Sequence, residues 1–277
     1  MSVEKSYMPN ENRFHLSVAA AQTYEAQNVP AMFEPLAEQT LAAVSLPPAA
    51  RVLDVACGTG IVARKLAERL DAASRIVGVD VNPAMIEVAR SLSDVNGRKI
   101  EFVTASAEAM PFGDGEFDLV FCQQGLQFFP DRSAALGEIR RVMSAGGKLV
   151  VTCWAGVPPL FRIAAEALNR HLGPAAAEKA LEPFVWNDAE RIRGLIVEAG
   201  FHCPDPVRLE IERSLPATAE AIRAELLATP NEAALKIAGE EVIGWMAGEI
   251  LSELAPYEQD GTLKIPQPAH LFQAVAI

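Results

Sequence analysis

A glycine turn between a short apolar run and an amphipathic segment is the feature that most constrains this chain. Residues 52–56 read Val-Leu-Asp-Val-Ala, which is typical of a buried strand. The turn Cys57-Gly-Thr-Gly60 follows, and after it apolar residues recur with helical spacing at Ile61, Val62, Leu66 and Leu70. Strand, turn and helix predict the first half of a βαβ unit. Bare glycines let a ligand approach the backbone, and the free N–H groups of the helix favour a negatively charged group.

Two acidic residues accompany the turn. Asp54 lies near the end of the first predicted strand, and Asp80 ends the second, residues 76–80, twenty residues after Gly60. Open α/β sheets bind ligands at the carboxyl ends of their strands, where an acid can accept both hydroxyls of a ribose. The spacing Gly58-x-Gly-x-x-Ala63 satisfies a loose dinucleotide pattern, which by itself is a weak signal. These residues fit a nicotinamide dinucleotide or another cofactor that contains adenosine.

Four motifs in order narrow the choice. They are Asp54-Val-Ala-Cys-Gly-Thr-Gly60, Gly78-Val-Asp-Val-Asn-Pro-Ala-Met85, Ala105-Ser-Ala-Glu-Ala-Met-Pro-Phe112 and Glu116-Phe-Asp-Leu-Val120. Together they resemble the class I S-adenosylmethionine-dependent methyltransferases, and most of all the ubiquinone/menaquinone-type enzymes with a type 11/25 domain. The resemblance, strong over residues 45–155, implies S-adenosyl-L-methionine as cofactor and S-adenosyl-L-homocysteine as product. It also implies methyl transfer to a small organic molecule by in-line displacement, without identifying the acceptor or the methylated atom.

The resemblance assigns cofactor-binding positions residue by residue. Asp80 would bind the ribose, and Gln123 would lie near the methionine part of the cofactor. Ser106 stands where the family often has an acid for the adenine amino group, so a backbone N–H of Ala107 or Glu108 is the alternative adenine contact. The full set implied is Tyr24, Asp54, Ala56, Gly58, Thr59, Gly60, Asp80, Val81, Met85, Ser106, Ala107, Glu108 and Gln123.

The predicted fold is a doubly wound, Rossmann-like α/β sheet, mostly parallel with an antiparallel edge strand, plus N-terminal helices and a helical cap insertion. Residues 1–46 are expected to form a helical segment that covers the cofactor site. Residues 47–277 are expected to form the methyltransferase domain, with the cap at about 154–187. Tyr24 either closes over the cofactor or packs on a helix, and Met85 either lies against adenine or is core. The cap either covers the substrate or is an ornamental insertion.

Local patterns also predict where several elements begin and end. Prolines should interrupt the leading helices, a glycine pair should end a helix over residues 131–143, and a capping box should open a long helix to about residue 254. Residues 262–277 are expected to form one last strand. The residues that carry these expectations are Pro30, Pro35, Gly146, Gly147 and the stretch Thr229-Pro-Asn-Glu232.

None of the four histidines lies in a motif that marks it as a catalytic base. A base is needed only if the nucleophile starts protonated. Tyr24, His15 and His171 are the candidates, because their segments can reach the crevice, although a lone histidine is commonly structural. The four cysteines form no CxxC pair, which predicts no metal site and indicates reduced thiols in a cytoplasmic protein.

Charge and hydropathy restrict the partners. A net charge of −12 argues against nucleic acid, because binding to a phosphate backbone needs a basic surface. No run of about 18 apolar residues predicts a membrane span. The expected partner is a small-molecule methyl acceptor, and a homodimer is left open.

Two other functions use the same residues. An NAD(P)-dependent oxidoreductase shares the sheet and the turn, but Asp54 would place a negative charge close to the cofactor pyrophosphate. A non-catalytic cofactor-binding scaffold would keep the binding residues and yield no methylated product.

Overall fold

Helices and strands alternate through the first half of the chain. The computed structural model describes residues 17–277. In chain order the first elements are α1 (Val18–Thr23), a π-helical stretch (Tyr24–Phe33), α2 (Glu34–Ala43), β1 (Arg51–Val55), α3 (Ile61–Arg69), β2 (Arg75–Asp80), α4 (Pro83–Ser91), β3 (Asp94–Val95), β4 (Arg98–Lys99), β5 (Glu101–Thr104), β6 (Phe117–Gln123), a 3₁₀ turn (Leu126–Phe128), α5 (Arg132–Val142) and β7 (Met143–Trp154). The five strands expected up to this point correspond to β1, β2, β5, β6 and β7.

The second half adds more helices and a second sheet. Its elements are α6 (Pro159–Leu172), α7 (Pro174–Leu181), a 3₁₀ turn (Glu182–Phe184), α8 (Ala189–Glu198), β8 (Phe201–His202), β9 (Val207–Leu209), β10 (Glu212–Pro216), α9 (Ala219–Leu227), α10 (Glu232–Ala238), α11 (Glu240–Glu253), a 3₁₀ turn (Ala255–Tyr257), β11 (Glu258–Gln259), β12 (Thr262–Pro266) and β13 (Ala269–Ala276). The small sheet has the order β10-β12-β11.

The central sheet is mostly parallel. Its order is β5-β2-β1-β6-β7-β13-β8, and β9 also pairs with β13. The strands from β5 to β7 run parallel, whereas β13 runs antiparallel to β7, β8 and β9. Chain order reverses between β1 and β6, so the carboxyl ends of the strands on either side of this point border the ligand crevice of the fold. The predicted doubly wound, Rossmann-like sheet with an antiparallel edge is confirmed.

Helices cover both faces of this sheet. On one face α2, α3 and α4 bury Leu36, Leu66 and Ile86 against the strands. On the other face α5 and α8 bury Leu136 and Ile192. Each fully buried aliphatic side chain of this size contributes roughly 1.5–3 kcal/mol, so the two layers fix the strand ends in place.

The cap is larger than the sequence indicated. The helices α6 and α7 share one hydrophobic core with α9, α10, α11, β10 and β12, which includes Ile163, Ile222, Met246 and Leu263. The cap therefore combines the expected insertion at 154–187 with a second stretch, residues 215–265. This second stretch comes after strands β8 and β9 in the chain, so no continuous sequence pattern predicts that it packs with residues 154–187.

Three elements differ from their predictions. The expected long helix is two helices, because Gly239 adopts φ +93° and ends α10. The expected last strand is also two, because β12 pairs with β10 whereas β13 pairs with β7, and Pro268 between them has no N–H for a ladder. Helix α5 ends at Val142, before the glycine pair, and Gly146 lies within β7.

The leading helices are not interrupted by their prolines. Helix α1, the π-helical stretch and α2 follow one another without a gap. Pro30 lies inside the π-helical stretch, where the wider turn accommodates a residue without an N–H. Pro35 lies in the first turn of α2.

The ring of Phe102 on β5 packs against the glycine turn and β2. A Cβ on Gly60 would lie 2.6 Å from Phe102 Cζ, and a Cβ on Gly78 would lie 2.6 Å from Phe102 Cδ1 and Cε1. Neither position has room for a side chain while the ring is there. The ring thereby sets how closely β2 and the turn approach each other.

We expect Gly78→Ala to lower the free energy of unfolding by about 1–3 kcal/mol, because the new methyl group overpacks against the Phe102 ring. Urea denaturation measures this loss, and adding Phe102→Leu to the same chain should restore part of it. Gly137→Ala on α5 is the control, since its Cβ meets nothing within 4 Å. Equal losses in both alanine variants would contradict the packing argument.

Candidate functional site

The Asp80 carboxylate joins the end of β2 to the glycine turn. Its Oδ2 accepts a hydrogen bond from the Gly58 N–H at 2.9 Å, and its Oδ1 accepts one from the Asn82 N–H at 2.9 Å. Burial raises the pKa of Asp80, and these backbone donors oppose that rise. Each carboxylate oxygen has a further lone pair, so Asp80 can still accept hydrogen bonds from a ligand.

The Asp54 side chain extends from β1 and lies buried beside the first turn of α3. It is 1% exposed, and its Oδ2 accepts a hydrogen bond from the Ala63 N–H at 3.2 Å. The pKa of Asp54 is raised to about 8, chiefly by burial; the hydrogen bond from the Ala63 N–H opposes the rise and the charge of Asp80 adds to it. The site therefore holds two carboxyl groups whose charges disfavour each other, which suits a cofactor with hydroxyl or cationic groups better than one with a pyrophosphate.

Tyr24 lies over the glycine turn. A Cβ on Gly58 would lie 3.9 Å from Tyr24 Cε1 and from its hydroxyl oxygen, so the ring occupies the space beside the bare turn. Burial, followed by the charges of Asp80 and Glu25, raises the pKa of Tyr24 far above its ordinary value. The phenol therefore keeps its proton at neutral pH and is suited to donate a hydrogen bond, not to act as a base.

Two polar contacts fasten the N-terminal segment to the sheet. Arg64 on α3 donates to the carbonyl oxygen of Thr59 and to Glu25 Oε1, both at 2.6 Å. Gln123 at the end of β6 donates from Nε2 to the carbonyl oxygen of Phe33 at 3.1 Å. The segment is thus held at both ends of its π-helical stretch.

Aromatic rings form a row from the glycine turn into the cap. Successive ring centroids lie 5.2 Å apart for Tyr24 and Phe33, 6.4 Å for Phe33 and Trp154, 6.2 Å for Trp154 and Phe184, and 4.6 Å for Phe184 and Phe161. Such spacings are those of interacting aromatic pairs. The row makes the region at the carboxyl ends of β6 and β7 apolar, and Trp154 and Phe184 are buried in it.

Buried polar atoms without partners cluster at those same strand ends. Within residues 17–277 they include Thr59 Oγ1, Gln123 Oε1, Gln124 Nε2, Gln127 Oε1 and Thr152 Oγ1. An unpaired buried polar group costs about 1–3 kcal/mol, so a cluster of them indicates a ligand site. Thr59 and Gln123 were predicted as site residues, whereas Gln124, Gln127 and Thr152 were not. Polar side chains directly at the ends of buried strands are the sequence signal that could have revealed the residues that were missed.

The predicted adenine side is partly engaged with the protein itself. Met85 is buried against α1 and Tyr24. Ser106 Oγ accepts a hydrogen bond from the Glu108 N–H at 3.2 Å, and Glu108 Oε1 accepts one from the Asp131 N–H at 2.8 Å. The Glu108 N–H is therefore taken, which leaves Ala107 of the two expected backbone donors.

Three further predicted positions surround the turn. Gly60 precedes α3 with φ +87°, and Ala56 at the end of β1 has φ +56°, a left-handed conformation that is uncommon for a residue with a Cβ. Val81, next to Asp80, is 47% exposed and open to a ligand at the strand end.

The candidate His171 lies away from the glycine turn. His171 is near the end of α6, with its Nε2 3.4 Å from Glu249 Oε2 on α11, and the length of α6 separates it from the strand ends. His15 lies outside the described residues. Across residues 17–277 no group of three or more His, Cys, Asp or Glu side chains is arranged to hold a metal ion. No helix in that range is both long and apolar enough to cross a membrane.

Part of this chain is similar in sequence to known proteins. Residues 53–151 match the model of a family described as a methyltransferase domain. The demethylmenaquinone methyltransferase of Thermus thermophilus is 45% identical over 101 residues, which cover 36% of this chain and 46% of that protein. That of Lactococcus lactis is 31% identical over 163 residues, which cover 54% of this chain and 65% of that protein. By this similarity, residues 53–151 correspond to a methyltransferase domain.

A solved structure shares the overall fold. The crystal structure of a proposed methyltransferase from Bacillus halodurans superposes with a TM-score of 0.58 at 21% identity, over 86% of this chain and 97% of that one. The methyltransferase domain match ends at residue 151, before the cap begins. The chain spans about half the length of the Thermus thermophilus relative that it matches.

We expect Asp54→Asn to change how stability depends on pH. The carboxyl ionises near pH 3.8 when unfolded and near pH 8 when folded, so between these values the unfolded state releases a proton that the folded state retains. Wild-type stability should therefore fall as the pH rises through this window, and the variant should lack that contribution. Urea denaturation should show the variant gaining stability relative to wild type from pH 5 to pH 7.5.

Asp118→Asn is the matched control, because Arg51 lowers the pKa of Asp118 to about 2. That carboxylate stabilises the fold at neutral pH, and its contribution is lost as the pH falls towards its folded pKa. A pH trend of the same sign in both variants would contradict the burial argument for Asp54.

Proposed function

We propose that this chain transfers a methyl group from S-adenosylmethionine to a small organic molecule. The observation that carries the proposal is the Asp80 carboxylate at the end of β2, which holds the Gly58 turn at 2.9 Å within a methyltransferase domain. The wall formed by Phe33, Trp154 and Phe184 supports an acceptor with a flat apolar ring. The named relatives act on demethylmenaquinone, so C-methylation of a quinone-type ring is the acceptor chemistry that we propose.

The residues around the turn fit the cofactor. We assign the free lone pairs of Asp80 to the ribose hydroxyls and the side of Gly58 that lacks a Cβ to the amino-acid tail. The unpartnered Thr59 Oγ1 and Gln123 Oε1 would bind polar groups of the same ligand. When bound, S-adenosylmethionine supplies a methyl group on a sulfonium and leaves as a neutral thioether.

The protein's own contribution is alignment and exclusion of water. We infer that the segment 17–43 opens to admit the cofactor, because Tyr24 lies against Gly58. The contacts of Arg64 with Glu25 and of Gln123 with Phe33 then hold the segment closed. Since the Tyr24 phenol keeps its proton, we assign it to covering the cofactor and not to proton removal.

The two alternative functions predict different ligands and products. We expect isothermal titration calorimetry of the full chain to show binding of S-adenosylhomocysteine and no comparable binding of NAD. Incubation with methyl-labelled S-adenosylmethionine and a cell extract should then place label in a small organic product. Binding of NAD alone would favour the oxidoreductase, and binding of S-adenosylhomocysteine without any labelled product would favour the scaffold.

We expect Asp80→Ala to weaken S-adenosylhomocysteine binding, because the ribose loses one or two charge-assisted hydrogen bonds of about 1.5–3 kcal/mol each. Calorimetry measures the change, and a thermal melt checks that the variant is folded. Asp114→Ala is the control, since that side chain is 83% exposed and pairs with Arg141 at the surface. A folded Asp80 variant with wild-type affinity would show that the ribose assignment is wrong.

A further inference from the structure

Two buried amides lie at the carboxyl end of β6, outside the positions assigned to the cofactor. Gln124 follows the strand and Gln127 lies in the next 3₁₀ turn, and each is 5% exposed. Gln127 Nε2 donates a hydrogen bond to Gln124 Oε1 at 2.9 Å. The remaining polar atoms of the pair, Gln124 Nε2 and Gln127 Oε1, have no partner within residues 17–277.

This imbalance does not depend on how the two amides are oriented. Exchanging oxygen and nitrogen in both side chains again gives one shared bond, and again leaves one donor and one acceptor unpaired. Apolar residues of similar shape would avoid the unfavourable burial. A ligand that offers one acceptor and one donor would satisfy the pair.

The surroundings place the amides in the proposed acceptor region. The Gln124 N–H donates to the carbonyl oxygen of Thr152 on β7 at 3.0 Å, and Thr152 Oγ1 is also buried without a partner among the described residues. Gln124 has φ +56°, a strained conformation that occurs preferentially at functional sites. The turn Leu126–Phe128 contacts the cap turn Glu182–Phe184, so the amides lie between the strand ends and the cap.

The neighbouring Arg132 raises the alternative that this site binds an anionic ligand. Arg132 Nη2 donates to the carbonyl oxygen of Gln127 at 2.5 Å, while Arg132 Nε is buried without a partner in the described chain. Its guanidinium lies 3.9 Å from the centroid of the Trp186 ring. An anionic ligand would gain from Arg132, but either orientation of the amide pair would set an unpaired oxygen against it. The amides therefore favour a neutral group.

We propose that Gln124 and Gln127 bind an uncharged group of the methyl acceptor that both accepts and donates a hydrogen bond, such as a hydroxyl beside a ring carbonyl. The aromatic row supplies the apolar wall for the ring that carries this group. The inference rests on the proposed function, because it takes the occupant of the site to be the methyl acceptor. It adds a requirement on the methyl acceptor, which must carry an uncharged donor and acceptor, and the cofactor assignment does not contain that requirement.

The probe for this site is 3-hydroxychromone, a fluorescent, flat molecule with adjacent hydroxyl and carbonyl groups. Fluorescence titration into the wild-type chain saturated with S-adenosylhomocysteine should show binding. The analogue 3-methoxychromone lacks the donor and should bind at least about tenfold more weakly, since a buried acceptor is then left unpaired. Chromone-3-carboxylate tests the anionic alternative and should bind no more tightly than the hydroxyl probe.

The double variant Gln124→Met/Gln127→Leu separates a binding role from a structural one. Removing an unsatisfied polar pair should raise the Tm of the ligand-free chain by about 2 °C or more, while affinity for 3-hydroxychromone falls at least about tenfold. Affinity for S-adenosylhomocysteine should stay unchanged. Gln267→Leu is the matched control, because that 1% exposed glutamine accepts a hydrogen bond from Arg213 Nε at 3.2 Å, so its loss should lower the Tm.

Each contrary result overturns the proposal. A lower Tm for the double variant would make the pair structural, and unchanged probe affinity would place the ligand elsewhere. Tighter binding of the carboxylate, or no binding of 3-hydroxychromone by the wild type, would refute the neutral donor–acceptor group. Failure of the wild type to bind S-adenosylhomocysteine would instead refute the proposed function, and the Tm comparison on the ligand-free chain would still report on the amide pair.

Discussion

The site depends on the two hydrogen bonds that the Asp80 carboxylate accepts from the backbone N–H groups of Gly58 and Asn82. It ties together three pieces of backbone: the end of β2, the glycine turn and the start of α4. Asn82 continues the chain of bonds, since its Oδ1 accepts from the Ala84 N–H at 2.9 Å and caps α4. Burial works against the charge, and the two donors offset it. A site built in this way is organised before any ligand arrives.

Local patterns carried the prediction of this half of the molecule. The strand, turn and helix around Gly58 and the acid at Asp80 are each encoded within a few neighbouring residues, so sequence reasoning found them. The second half depends on distant partners. Nothing near Thr262 shows that β12 joins the small sheet while β13 joins the large one, and nothing near Gln127 shows that its amide meets Gln124 and stays half satisfied.

Arg213 shows how the N-terminal segment and the cap become one unit. Its buried guanidinium pairs with Glu225 on α9 at 2.6 Å, lies 3.3 Å from the sulfur of Met32 and stands over the ring of Phe161 at 5.5 Å. Removing one partner of such a pair would strand a charge in the interior. Movement of the segment away from the glycine turn would therefore disturb the cap as well.

Strand β13 follows in the chain every strand with which it pairs, namely β7, β8 and β9. While the polypeptide is being made on the ribosome, the backbone N–H and C=O groups at this edge of β7 stay unpaired until residues 269–276 have emerged. An exposed edge of this kind invites pairing with other chains. The β7 edge therefore stays open to such pairing until residues 269–276 join it, although the residues of the glycine turn have emerged long before.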